Sequence, residues 1–157
     1  MERKQKEMVY STVRNIEPLS LRSRSKVELE LTPTPTKTSL KRSAYVGPSK
    51  LWTTVTPYVY DRFPDNIEER TQMIEKACEH VGLPRPSEVY VMENGVSPLI
   101  GVPNSGDFRL GETGFSERPR YHVVLEFDTP VRGPVTIGRG RFFGIGLMRS
   151  ITEDDMR

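Results

Sequence analysis

From Leu51 to Tyr60 the side chains alternate. Leu51, Thr53, Val55 and Val59 fall on one face; Trp52, Thr54, Thr56, Tyr58 and Tyr60 fall on the other. That period predicts a strand, and the β-branched and aromatic content suits a pleated surface. Over Asp65–Val81 the period lengthens. Ile67, Ile74, Cys78 and Val81 share one stripe with Ala77 beside them, and Glu68, Glu69, Glu75 and Glu79 take the outside. This predicts an amphipathic helix, with Asp65 and Glu68 as its capping box and Gly82 and Pro84 ending it. Glu88–Met92 predicts a second strand. Arg120–Phe127 predicts a third, with Tyr121, Val123, Leu125 and Phe127 facing one way and His122, Val124 and Glu126 the other. Val131–Ile137 suits one helical turn or a strand edge, and Arg141–Met148 suits a last strand.

The order strand, helix, strand, strand, short element, strand is β-α-β-β-α-β. The predicted class is α+β, a ferredoxin-like (RRM-like) domain with a reduced second helix and a glycine-rich loop before the last strand. In such a domain helices cover one sheet face, and RNA-recognition modules read bases with aromatics on the other. The Trp52–Tyr60 face is the candidate for that role, with Trp52 a candidate for stacking. Residues 46–150 form the predicted domain. Residues 1–45 precede it as a basic extension, with a short strand at Lys26–Leu31 and an extended Thr/Pro linker at Thr32–Thr36. Residues 151–157 are a polar tail. Asn94–Glu117 is long and polar, and is expected to stay disordered until RNA or a partner arrives, or to extend a hairpin through Ser97–Ile100.

Composition narrows the function classes. The single cysteine, Cys78, excludes an intramolecular disulfide and a multi-cysteine zinc site, and its stripe position makes it a small buried hydrophobe. No apolar run is long enough to span a bilayer, and no signal peptide is visible, so a soluble cytoplasmic protein is expected. The formal net charge is only +2, but it is unevenly placed. Residues 1–50 carry 11 Lys/Arg against 5 Asp/Glu, and residues 118–149 carry six arginines against Glu126 and Asp128. Local basic stretches of this kind are the usual footprint of nucleic-acid binding.

The densest chemistry lies in Gly138-Arg139-Gly140-Arg141-Phe142-Phe143-Gly144-Ile145-Gly146-Leu147. Glycines allow close backbone approach, and arginine presents a planar cationic fork to phosphate. The spacing is neither GxGxxG nor a Walker loop, which favours a nucleic-acid backbone over a mononucleotide.

Several motifs, taken in order, resemble one family. They are Gly47-Pro48-Ser49-Lys50-Leu51-Trp52-Thr53-Thr54-Val55-Thr56-Pro57 with Asp61-Arg62-Phe63-Pro64, then Arg120-Tyr121-His122, then Pro130-Val131-Arg132-Gly133-Pro134-Val135, then the glycine-arginine run. Together they resemble the Cas-six-like, C-terminal part of the fused Csb-two subunit of type I-U (I-G) CRISPR systems, over Leu40 to Met148. The resemblance implies a metal-independent endoribonuclease that cuts CRISPR repeat RNA and stays with the guide RNA in the Cascade complex. Cas-five-like, Cas-seven-like and Cas-eight-like subunits would be its partners, with no cofactor and no membrane. A non-catalytic subunit binding the RNA stem-loop, or a structural subunit of that complex, is the alternative.

Metal-free RNA cleavage needs a base for the 2′-hydroxyl, an acid for the leaving oxygen and cations for the phosphorane. His122, expected on the open face near Arg118 and Arg120, is the candidate acid or base, with Tyr58 as an assisting hydroxyl. Arg139 and Arg141, with Gly138 and Gly140, are the candidate phosphate grip. Lys50, Arg62 and Arg120 are further RNA contacts. His80 suits a structural place at the helix C-terminus. Asp154 and Asp155 lack a third partner, so no metal site is expected.

Overall fold

The computed structural model describes residues 19–20, 26–27, 35–111, 114–152 and 155. The chain divides into two compact units, Met1–Lys37 and Thr38–Arg157. In the first, β1 (Leu19–Ser20) pairs antiparallel with β2 (Lys26–Val27). The remainder of the strand expected over Lys26–Leu31 lies outside the described residues, as does most of the Thr/Pro linker.

The second unit is α+β. Its elements run α1 (Arg42–Val46), β3 (Pro48–Thr54), β4 (Tyr58–Val59), α2 (Ile67–His80), β5 (Glu88–Met92), β6 (Arg120–Arg132), β7 (Val135–Thr136) and β8 (Leu147–Ser150). A six-stranded antiparallel sheet forms around β6, which pairs with β5 on one side and with β3 on the other. β8 follows outside β3, and β7 outside β8. The unit begins ahead of the boundary expected at residue 46, because α1 packs on the sheet: the Ser150 hydroxyl donates to the Ala44 carbonyl at 3.1 Å.

The predicted strand Leu51–Tyr60 is interrupted. β4 carries on beside β6 after a bulge, with Tyr58 opposite Tyr121 and the Tyr60 N–H donating to the Pro119 carbonyl. Two threonine hydroxyls occupy the break. Thr54 Oγ1 accepts from the Val123 N–H at 2.9 Å, and Thr56 Oγ1 accepts from the Leu147 N–H at 2.9 Å while donating to the Gly144 carbonyl. Each supplies a partner to a ladder amide that the bulge leaves without one.

The helix starts one residue later than expected. Asn66, not Asp65, is the N-cap; its side chain accepts from the Glu69 N–H, and the Glu69 carboxylate in turn accepts from the Asp65 N–H. The reciprocal pattern is a capping box shifted by one residue. Ile74, Ala77 and Cys78 are buried as the stripe requires, but Ile67 in the first turn is exposed.

The core overturns the assignment of faces. Trp52, Tyr58 and Tyr60 are fully buried with Val123, Leu125 and Phe127, and Ile74, Ala77 and Cys78 of α2 pack into the same cluster. Trp52 lies opposite Leu125 in the register, so it shares the face of Leu125 and Val123. Burying such large rings contributes about 1.5–3 kcal/mol each, more than an exposed stacking surface would return in the free protein. The aromatic face is therefore the covered one. The last strand also moves: Arg141–Phe143 is a 3-10 turn, and the strand begins at Leu147. Between β6 and β8 stand β7 and this turn, where the sequence suggests a reduced helix. No helix among the described residues is long and apolar enough to cross a membrane.

Candidate nucleic-acid interface

The face opposite the aromatics carries His122, Val124, Thr53 and Arg149, and it is not open around them: all four are buried. The 93–119 connection lies over His122. The imidazole has Nε2 3.0 Å from the Pro103 carbonyl and Nδ1 3.1 Å from Thr54 Oγ1, with the Phe108 ring edge-on. Nδ1 also lies 3.2 Å from the Thr54 carbonyl, so each ring nitrogen faces a carbonyl, which only accepts. Burial pushes the His122 pKa down, and the carbonyl hydrogen bonds only partly oppose it. A walled-in imidazole holds the connection to the sheet. It has no path to a phosphodiester, which corrects its expected role as acid or base.

Tyr58 is corrected for the same reason. Its hydroxyl is turned toward the Met73 carbonyl inside the core, and burial drives its pKa far above the ordinary phenol value. Trp52 has no surface to offer a base, and its indole N–H donates to the Ser49 carbonyl. Cys78 is buried as expected, with its thiol pushed up to about 12 by desolvation. Arg120 donates through Nε to the Ser105 carbonyl and through Nη1 to the Ser116 carbonyl, so it stitches the long connection together. Asp155, weighed above as a metal ligand, folds back onto Arg149. The two form a bidentate pair, and the Thr152 N–H and hydroxyl also donate to Asp155. These bonds hold the Asp155 carboxyl at about 2.

The glycine-rich run keeps its cations on the surface but not its expected glycine role. A Cβ on Gly138 would meet the Tyr58 ring at 2.6 Å, and one on Gly140 would meet the Phe115 ring at 2.9 Å. Both residues have φ above +80°, where side chains are strained. Their missing side chains make room for the protein's own aromatics. The amides follow suit. Arg139 donates to Val59, Gly146 to Pro57, and Phe143 and Ile145 to Gly140. Those donors are satisfied internally.

What the turn sends outward is its side chains. Arg139 is half-exposed, and its nearest anion, Asp61, stands 3.8 Å away. The Arg141 guanidinium lies 4.5 Å from the centre of the Phe142 ring. Phe142 is 86% exposed and Phe143 75% exposed, which the strand reading of this segment missed. The signal was available: two consecutive aromatics in a strand point to opposite faces, and only one could have joined the core.

Arg62 pairs with Glu69, and Arg139 with the neighbouring Asp61. Lys50 is exposed in β3 at the Ser49/Leu51 register shift. A cleft of about 240 Å³ between α2 and the 61–62 segment is lined by Arg62, Lys76 and His80, with Asp61 and Glu69. No group of three or more His, Cys, Asp or Glu side chains is placed to hold a metal among the described residues. Comparisons of the chain with protein-family models, with curated proteins and with solved structures return no match.

Proposed function

We propose that this protein is an RNA-binding subunit that holds CRISPR repeat RNA by its backbone, and that His122 takes no part in cutting it. One observation carries the reading: the turn between β7 and β8 is anchored through its own amides while Phe142 and Phe143 project to solvent, with Arg139 half-exposed and Arg141 against the Phe142 ring. Arginine forks suit phosphate oxygens, and exposed aromatics suit the faces of unpaired bases. The ferredoxin-like assignment belongs to the same proposal. It is supported by the sheet order β5-β6-β3-β8, with α2 joining β3 to β5. Cas-five-like, Cas-seven-like and Cas-eight-like subunits are its proposed partners, and the cytoplasm its proposed compartment.

The endoribonuclease reading retains one observation of its own. His80 opens onto the cleft that also holds Arg62 and Lys76, an imidazole beside cations. Incubating the protein with labelled repeat RNA in EDTA separates the two. A gel shift without cleavage is expected, and its affinity falls with salt along a slope set by the phosphates contacted. Arg139→Ala with Arg141→Ala reduces that slope by about 2. Cleavage that a 2′-deoxy substitution abolishes would establish the nuclease instead. Absence of a shift at low salt, alone and with the partner subunits, would refute RNA binding.

A further inference from the structure

A second concavity lies where the end of α2 meets the glycine turn. It encloses about 210 Å³, and its walls include Val81, Leu83, Pro134, Val135, Arg141 and Phe142. No acidic side chain lines it, and Arg141 is its single charge. The apolar walls come from the C-terminal end of the helix and from β7 with the residue before it. Phe142 stands almost wholly in solvent at the rim.

A slot whose walls mix hydrocarbon with polar groups, Thr136 among them, and which carries one cation and an exposed ring, selects its occupant. A purely aliphatic ligand would leave the guanidinium unpaired, and a free phosphate would gain nothing from the hydrocarbon walls. A flat ring joined to an anion satisfies both parts: the ring meets Phe142, and the anion meets Arg141. We infer that this groove takes one unpaired nucleobase, stacked on Phe142, with its phosphate held by Arg141. The inference rests on the RNA-binding reading and adds to it a preference for single strands. Paired bases in an A-form duplex are stacked on their neighbours and cannot enter such a slot.

The test uses the full chain, labelled oligouridine, and an RNA duplex of the same length, read by anisotropy. Phe142→Ala is expected to weaken oligouridine binding by roughly ten-fold or more, the scale of one lost base–aromatic stack. The salt slope stays unchanged, because no phosphate contact is lost. Phe142→Trp restores affinity, and duplex binding is untouched by either change. Arg139→Ala weakens both ligands and lowers both slopes by about 1. If Arg139→Ala acts but Phe142→Ala leaves oligouridine affinity unchanged, or weakens duplex equally, the base slot is wrong while RNA binding stands. If the wild-type protein binds neither ligand, both fall. Self-association that Phe142→Ala abolishes, with oligouridine affinity unmoved, would assign the groove to a second copy of the chain and overturn the inference.

Discussion

The covered face around His122 and Arg149 and the turn around Arg139 and Arg141 use similar residues to opposite ends. On the covered face every cation or imidazole meets an internal acceptor: Pro103 for His122, Asp155 for Arg149. On the turn, the amides of Arg139, Phe143, Gly144, Ile145 and Gly146 bond internally, while one guanidinium stands near Asp61 and the other over Phe142. The two arginine settings read alike in the chain, as basic residues next to a strand. What separates them is whether the fold delivers an acceptor, and both acceptors come from irregular segments, the 93–119 connection and the tail. A buried charge or imidazole needs such a partner, whereas an exposed arginine does not.

Removing Asp155 should break this contrast most strongly. Arg149 is 4% exposed, and Asp155→Ala leaves it buried without its carboxylate. A loss of about 3 kcal/mol or more is expected in urea denaturation, the scale for breaking a buried pair. The same pair gives an acid dependence. The Asp155 carboxyl is depressed to about 2 in the fold, so its contribution is complete above the ordinary aspartate range. It is lost as the pH falls through about 2. In Asp155→Asn that part of the acid transition should flatten.

His122→Ala comes next, at about 2 kcal/mol, since it leaves the buried Thr54 hydroxyl short of a partner and the Pro103 carbonyl without its donor. RNA affinity and salt slope should stay at wild-type values, which an RNA-contacting histidine would not predict. Its pH signature has a definite sign. The folded imidazole is depressed, so below about 6.5 the unfolded chain takes up a proton that the folded protein resists. Stability therefore drops as the pH falls from 7 toward the lowered folded value, and His122→Gln should remove that slope. A slope that survives in His122→Gln would place the titrating group elsewhere.

Arg139→Ala should give the smallest change in stability, within about 0.5 kcal/mol, because its side chain is half-exposed and its ion pair is loose. It should nevertheless reduce RNA affinity several-fold at low salt. A large stability loss here would mean that the turn, too, is built around its cations, and the contrast between the two regions would disappear.

Much of this was legible from periodicity alone. β5 spans Glu88–Met92 as the sequence predicts, and α2 emerges where its stripe lies, with Cys78 inside. The faces of β6 were also legible, since Val123, Leu125 and Phe127 do share the core. Alternation does not say which face of β3 joins them; only the pairing of Trp52 with Leu125 does, and register is a tertiary fact. The same limit hid the fate of His122. Its side of the strand was legible, but the cover over it comes from Pro103 and Phe108, in a polar segment with no period to read. The break at Thr54–Thr56 was hidden because threonine suits a strand as well as it suits the bulge it plugs.

The docking of α1 also determines where a protease can shorten the chain. The Ala44 carbonyl accepts from Ser150, and the Tyr45 carbonyl occupies the space a side chain on Gly133 would need. Cleavage after Val46 would strip the acceptor from Ser150 and uncover the backbone at Gly133, while cleavage ahead of α1 touches neither. Limited digestion should therefore come to rest on a fragment that retains residues 42–46, although the border expected from the sequence, between residues 45 and 46, cuts through them.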